Sequence, residues 1–143
     1  MVEREYYINS LKKSNFKITP QRITVIDYVK GHSPGHFTAE TIYNAIKSEE
    51  PTITLATVYN ILKALQSAGT IHSLEVNGTT WFETNTRFHG NFVCNVCGNI
   101  YDLDVDETSL LENVDSDGNV INQASLILRG VCRECRRKDM NRQ

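Results

Sequence analysis

With 143 residues, 40% hydrophobic and 22% charged, the chain has the make-up of a globular protein of one domain or two small ones. No apolar run approaches the roughly 18 residues of a membrane span. The start, Met1-Val2-Glu3-Arg4-Glu5, leads into no apolar signal core, so a cytoplasmic protein is expected. The net charge of −2 excludes a partner held by bulk positive charge; residues 1–85 carry eight Lys/Arg and eight Asp/Glu, so nucleic-acid binding would need a local patch.

Four helical patterns come first. Tyr6, Tyr7, Leu11 and Phe16 recur near helical spacing, predicting a helix over residues 3–14. Thr19-Pro20 reads as an N-cap followed by proline at the first helical position; that helix carries Ile23, Val25, Ile26 and Val29 and stops in His32-Ser33-Pro34-Gly35. Thr38 caps a third helix with Ile42, Tyr43 and Ile46 inward. A fourth runs from Thr54 through Val58, Ile61, Leu62 and Leu65 to Gly69. Strands at 70–76 and 80–83 flank Asn77-Gly78, a strong hairpin signal. Three compact helices and a two-stranded wing predict a winged helix-turn-helix, with the leading helix as an addition.

Residues 84–91 are polar and aperiodic, as a hinge is. Beyond them, strands are expected at 91–96 and 99–104, a short helix at 107–114 and a strand at 124–131. This second half is too small to be stable on core burial alone and requires a metal or a partner subunit.

Cys94-x-x-Cys97-Gly98 and Cys132-x-x-Cys135 are the chain's four cysteines. Each pair turns two sulfurs to one side, and four thiolates suit a closed structural zinc site with no open position for chemistry. The competing reading is a redox dithiol of thioredoxin type, which normally occurs once and at a helix N-terminus; here the motif occurs twice and is expected between strands.

These residues resemble the ferric uptake regulator (Fur) family over essentially the whole chain. The matching pieces are Ile18-Thr19-Pro20-Gln21-Arg22, His36-Phe37-Thr38-Ala39-Glu40-x-x-Tyr43, Leu55-Ala56-Thr57-Val58-Tyr59-Asn60-x-Leu62, His89-x-x-x-x-Cys94-x-x-Cys97-Gly98 and Gly130-Val131-Cys132-x-x-Cys135. The resemblance implies an α+β protein: a winged-helix DNA-binding domain at residues 1–84, a hinge at 85–91, and a zinc-containing α/β dimerisation domain at 92–143. Its members repress genes of metal uptake or peroxide defence when a divalent metal is bound. Pro20-Gln21-Arg22 resembles the peroxide-responsive branch.

On spacing alone the helix at 54–68 is the recognition helix, because it precedes the wing. Ala56, Thr57, Tyr59 and Asn60 would face the major groove of a double-stranded operator, the tyrosine ring against thymine methyls and Asn60 on adenine. The resemblance makes Tyr59 a base contact, sends Lys17 to the minor groove and sets Arg22 and Lys63 on phosphates. The alternative for each side chain is packing or solvation.

The resemblance also implies a regulatory site. His36, in the loop entering the third helix, and His89, after the hinge, match sensory ligands, with Glu83 at the end of the wing and Asp102 in the strand after the zinc turn. Imidazole with carboxylate oxygen suits iron(II) or manganese(II). Where the family has a second hinge histidine this chain has Asn91, a weaker donor; either its amide oxygen or a water fills that place, and lower affinity with a shift toward manganese is expected. Phe88 and Gly90 stand where the family's additional metal site needs ligands, and His32 and His72 match no ligand position. Glu83 resembles the iron-sensing branch, Asp102 the peroxide-sensing one.

The sequence thus points to a homodimeric metal-dependent repressor rather than an enzyme. Peroxide sensing competes with iron or manganese homeostasis, and a dithiol redox protein using Cys94 and Cys97, or a winged helix devoted to protein contact, are the readings from other classes.

Overall fold

The computed structural model describes residues 3–141. Met1 and Val2, read above within the charged start, and residues 142 and 143, at the end of the expected dimerisation domain, lie outside the described residues. The chain divides into two units, Met1–Thr86 and Arg87–Gln143.

In the first unit, local signals and tertiary burial agree. Helix α1 (Arg4–Lys13) buries Tyr7 and Leu11, one turn apart, and leaves Tyr6 exposed. Helix α2 (Pro20–Gly31) begins where the Thr19 hydroxyl accepts the Arg22 amide at 3.2 Å, and it buries Val25, Ile26 and Val29. After the two-residue strand β1 (His36–Phe37), Thr38 caps α3 (Ala39–Ile46) and Thr54 caps α4 (Leu55–Ser67). Helix α4 buries Val58, Ile61, Leu62, Ala64 and Leu65, a wide stripe against one core. Strands β2 (His72–Val76) and β3 (Thr79–Glu83) form the wing. Its turn residues Asn77 and Gly78 have φ of 52° and 81°, as a type I′ turn requires.

The sheet order is β1-β3-β2, all antiparallel, with His36 opposite Glu83 and Phe37 opposite Phe82. Because side chains alternate along a strand, His36 and Glu83 share one face and Phe37 and Phe82 share the other, inside the core. This corrects the placement of His36 in a loop. Strand β1 exists only because β3 offers a free edge, a non-local pairing with no local signature.

The second unit is a three-stranded sheet of order β5-β4-β6, in which β4 (Gly90–Cys94) pairs antiparallel with β5 (Ile100–Leu103) and parallel with β6 (Leu126–Gly130). Gly90, expected in the hinge, lies in β4, which begins one residue before the expected strand at 91–96. Helix α5 (Glu107–Glu112) is capped by Asp106 and buries nothing; α6 (Arg133–Asn141) closes the chain. The second Cys-x-x-Cys does not lie between strands: Cys132 precedes α6 and Cys135 is in its first turn. The buried apolar interior is Val93 together with Cys94, Cys132 and Cys135, with Phe92 against the cysteines, while Tyr101, Leu103, Leu128 and Val131 remain 37–46% exposed.

Candidate metal centres and nucleic-acid interface

The four cysteines converge although they come from distant positions: every sulfur lies within 4.8 Å of the others. The Cys97 and Cys132 sulfurs are 3.8 Å apart. A tetrahedral ion with metal–sulfur bonds of about 2.3 Å sets its sulfurs about 3.8 Å apart, so the spacing fits zinc and is far too long for a disulfide. The amides of Val96, Cys97 and Cys132 donate to Cys94 Sγ at 3.4, 3.5 and 3.3 Å, and that of Cys135 donates to Cys132 Sγ at 3.5 Å.

These amides, led by that of Cys132, lower the Cys94 pKa to about 6, against its burial. The Cys135 amide lowers that of Cys132. Burial, then the neighbouring thiols, pushes Cys135 up to about 12. Four thiolates this close require a dication, and the donor set offers it no vacant position. A dithiol pair would leave Cys94 and Cys97 apart from the second pair; here Cys132 touches both.

Two smaller polar clusters lie on either side of the boundary between units. In the first unit His36 Nε2 is 3.0 Å from Glu83 Oε2, as their cross-strand register dictates, and the Glu83 carboxylate is only 5% exposed. The loop before His36 is anchored: Ser33 Oγ and the Gly35 amide reach Thr84 Oγ1 at 3.1 and 3.2 Å, and the Thr84 amide donates to the Gly35 carbonyl. A Cβ on Gly35 would stand 2.5 Å from the His32 carbonyl oxygen, so the turn requires glycine.

In the second unit Asn91 and Asp102 are cross-strand partners in β4 and β5, and both face His89. The Nδ1 of His89 lies 2.6 Å from the Arg87 carbonyl, so that nitrogen carries the proton and donates. Its Nε2 is 3.2 Å from Asn91 Oδ1 and 3.5 Å from Asp102 Oδ1. In the neutral ring Nε2 is a lone-pair donor, and with the two oxygens it forms an imidazole and oxygen donor set of the kind that suits iron(II) or manganese(II). An imidazole held through its other N–H by a backbone carbonyl is the usual outer support of a metal ligand. His72, though opposite Glu83 in register, is not among these clusters, and His32 stacks on Tyr28 at 3.9 Å.

The exposed face of α4 carries Ala56, Asn60 and Lys63 at spacings of four and three, one stripe along the helix. Thr57 is half-buried with its hydroxyl 2.9 Å from Thr54 Oγ1. Tyr59 is half-buried, its ring edge-on to Phe82 at 6.3 Å and its hydroxyl 3.3 Å from Glu40 Oε1. Lys17 is exposed in the turn before α2. Arg22 is partly engaged within the fold: its guanidinium lies over Phe16 and donates to the Lys17 carbonyl, so it braces the turn that presents Lys17. Glu40 stood unassigned within a matching motif, because its contact with Tyr59 is tertiary and leaves no spacing signal.

A winged helix with a bare recognition face, followed by a small unit built on a four-thiol cluster, defines a metal-holding protein of the DNA-binding class. The model of the Ferric uptake regulator family matches residues 13–128. The chain belongs to that family. Among its relatives, the peroxide-responsive repressor PerR of Staphylococcus epidermidis is 35% identical, over 94% of this chain and 91% of the relative. Among solved structures, the Campylobacter jejuni peroxide stress regulator is 34% identical, with a TM-score of 0.63 over 90% of this chain and 98% of its own. The Vibrio cholerae ferric uptake regulator is 27% identical, with a TM-score of 0.71 over 87% and 98%.

Proposed function

We propose that the protein is a metal-dependent transcriptional repressor that binds double-stranded operator DNA as a homodimer in the cytoplasm and senses peroxide. The observation that carries it is the pair of ligand clusters flanking the unit boundary, His36 with Glu83 and His89 with Asn91 and Asp102. Iron(II) or manganese(II) is held by these five residues, and zinc by Cys94, Cys97, Cys132 and Cys135. Binding of the regulatory ion favours the DNA-competent state over others. When bound, ferrous iron supplies the electrons that reduce hydrogen peroxide, and His36 and His89 are the oxidisable side chains beside it. An imidazole that has gained an oxygen is a poorer donor, so the ion is lost and repression ends.

DNA contact runs through Thr57, Tyr59 and Asn60 on the bases and Lys17, Arg22 and Lys63 on the backbone. The family and the peroxide-responsive names of its relatives support the regulatory role over an enzymatic one. The exposed apolar side chains of the second unit support a partner copy: Phe92, Tyr101, Leu103 and Val131 line a groove of about 470 Å³ together with Asp102, Cys132, Arg133 and Glu134. No helix among the described residues is long and apolar enough to cross a membrane.

In a gel shift on zinc-loaded protein, added manganese(II) is expected to tighten operator binding about 5- to 150-fold, the usual range of allosteric coupling, and a mild chelator should reverse it. Because residues 1–85 carry no net charge, affinity without that ion should be little better than non-specific. Affinity unchanged by chelation would overturn the metal switch.

A further inference from the structure

We infer that Glu40 fixes the hydrogen-bond polarity of Tyr59, so that its hydroxyl pairs only with base edges presenting an exocyclic amine in the major groove. The inference rests on the proposed role of Tyr59 as a base contact and deepens it.

A tyrosine hydroxyl has one proton and two acceptor lone pairs. Left to rotate, it can accept from adenine N6 or cytosine N4, or donate to guanine O6 or N7 and thymine O4, and so distinguishes little. Here the hydroxyl is 3.3 Å from Glu40 Oε1. A carboxylate can only accept, so the tyrosine proton is committed to Glu40 and the remaining face of Oη offers lone pairs alone. Burial, then the charge and hydrogen bond of Glu40, raises the Tyr59 pKa, which keeps that proton in place.

The ring side of the arrangement is anchored. The ring lies edge-on to Phe82, which is 2% exposed, and packs against the first unit's core, so Tyr59 does not swing freely. Glu40 is exposed in the first turn of α3, and this marks the hydroxyl end of the ring as the outward one.

The carboxylate has a second consequence. It stands beside the recognition helix, where DNA phosphates approach, in a unit whose charges already cancel. Every complex bears that repulsion, and only one in which Tyr59 accepts a base amine gains a hydrogen bond from the same pair. Glu40 thus trades generic affinity for discrimination.

The test is a base-preference profile of manganese-loaded, full-length protein. The operator is selected from random double-stranded DNA and then varied one base pair at a time. Wild-type protein should favour adenine or cytosine over guanine or thymine by about fivefold at one position per half-site, the worth of one hydrogen bond. Tyr59→Phe should flatten that position and leave others unchanged. Glu40→Ala should admit guanine or thymine there and raise affinity for unrelated DNA, more so at low salt. Glu40→Gln, whose amide oxygen still accepts the tyrosine proton, should keep part of the preference while raising generic affinity likewise. If Glu40→Ala keeps the wild-type profile at the position that Tyr59→Phe flattens, the polarity inference is wrong and the base contact stands. If Tyr59→Phe changes no position, the base contact fails and the inference with it.

Discussion

Cys132→Ser is expected to release zinc and unfold the second unit while the first stays folded. The second unit's buried apolar interior is three of the four cysteines and Val93, with Phe92 against the cysteines, while Tyr101, Leu103, Leu128 and Val131 are exposed. Cys132 supplies both a sulfur to the cluster and an amide to Cys94 Sγ, so serine removes a ligand from the middle of that interior. Structural zinc contributes about 10–16 kcal/mol in small zinc domains, comparable to the ~5–15 kcal/mol that holds a whole domain. The first unit has its own core, from Tyr7 to Phe82, and does not draw on the metal. Native mass spectrometry should show the zinc and the dimer lost together. Hydrogen exchange should lose protection in β4 and α6 but keep it in α2 and α4. A zinc-free variant that remains dimeric and protected in β4 would refute a structural role for the cluster.

His36→Ala and His89→Ala are expected to do the reverse, sparing zinc and dimer while removing the response of DNA binding to manganese. Each variant deletes one of the two imidazoles and leaves a single nitrogen donor with the oxygens, a ligand set one short. Loss of a supporting partner alone typically weakens a metal site about 10- to 100-fold, and loss of a ligand should do at least as much. Both exchanges leave the fold's apolar core untouched, and Thr84 continues to hold the loop before position 36. Asn91→His should act in the other direction, tightening iron(II) more than manganese(II), because imidazole replaces an amide oxygen beside His89 Nε2. Calorimetric titration of each metal and a parallel gel shift check the set. Full manganese-dependent retention by His36→Ala would remove that residue from the site.

What was legible in the sequence was local. Thr19-Pro20, Thr38 and Thr54 announce helix starts because a cap acts within three residues, and Asn77-Gly78 announces the wing because its turn demands two left-handed residues. The cysteine cluster was legible as donor chemistry repeated at short spacing. Pairing between distant segments was not. Strand β1, the register that sets His36 opposite Glu83, and that of Asn91 with Asp102 arise from strands meeting across the fold. Helix α6 carries no sequence signal because Arg133–Asn141 is mostly charged; its anchor is Cys135 in the cysteine cluster. The ligand residues of the regulatory site follow from resemblance, while the support of His89 by the Arg87 carbonyl and of Tyr59 by Glu40 is tertiary and leaves no spacing signal.

The central claim is tested most directly by peptide mass spectrometry after brief peroxide exposure of iron-loaded and manganese-loaded protein, with operator retention followed in the same samples. Manganese(II) is far less prone to reduce peroxide, so the two samples differ in chemistry while sharing one ligand set. The account predicts one added oxygen on the peptide holding His36 or His89 in the iron sample alone, with operator release in step with it. Both histidines intact in iron-loaded protein that still holds its operator would contradict peroxide sensing and leave a metal-homeostasis repressor; cysteine oxidation with zinc loss ahead of any change at the histidines would move the sensor to the zinc cluster.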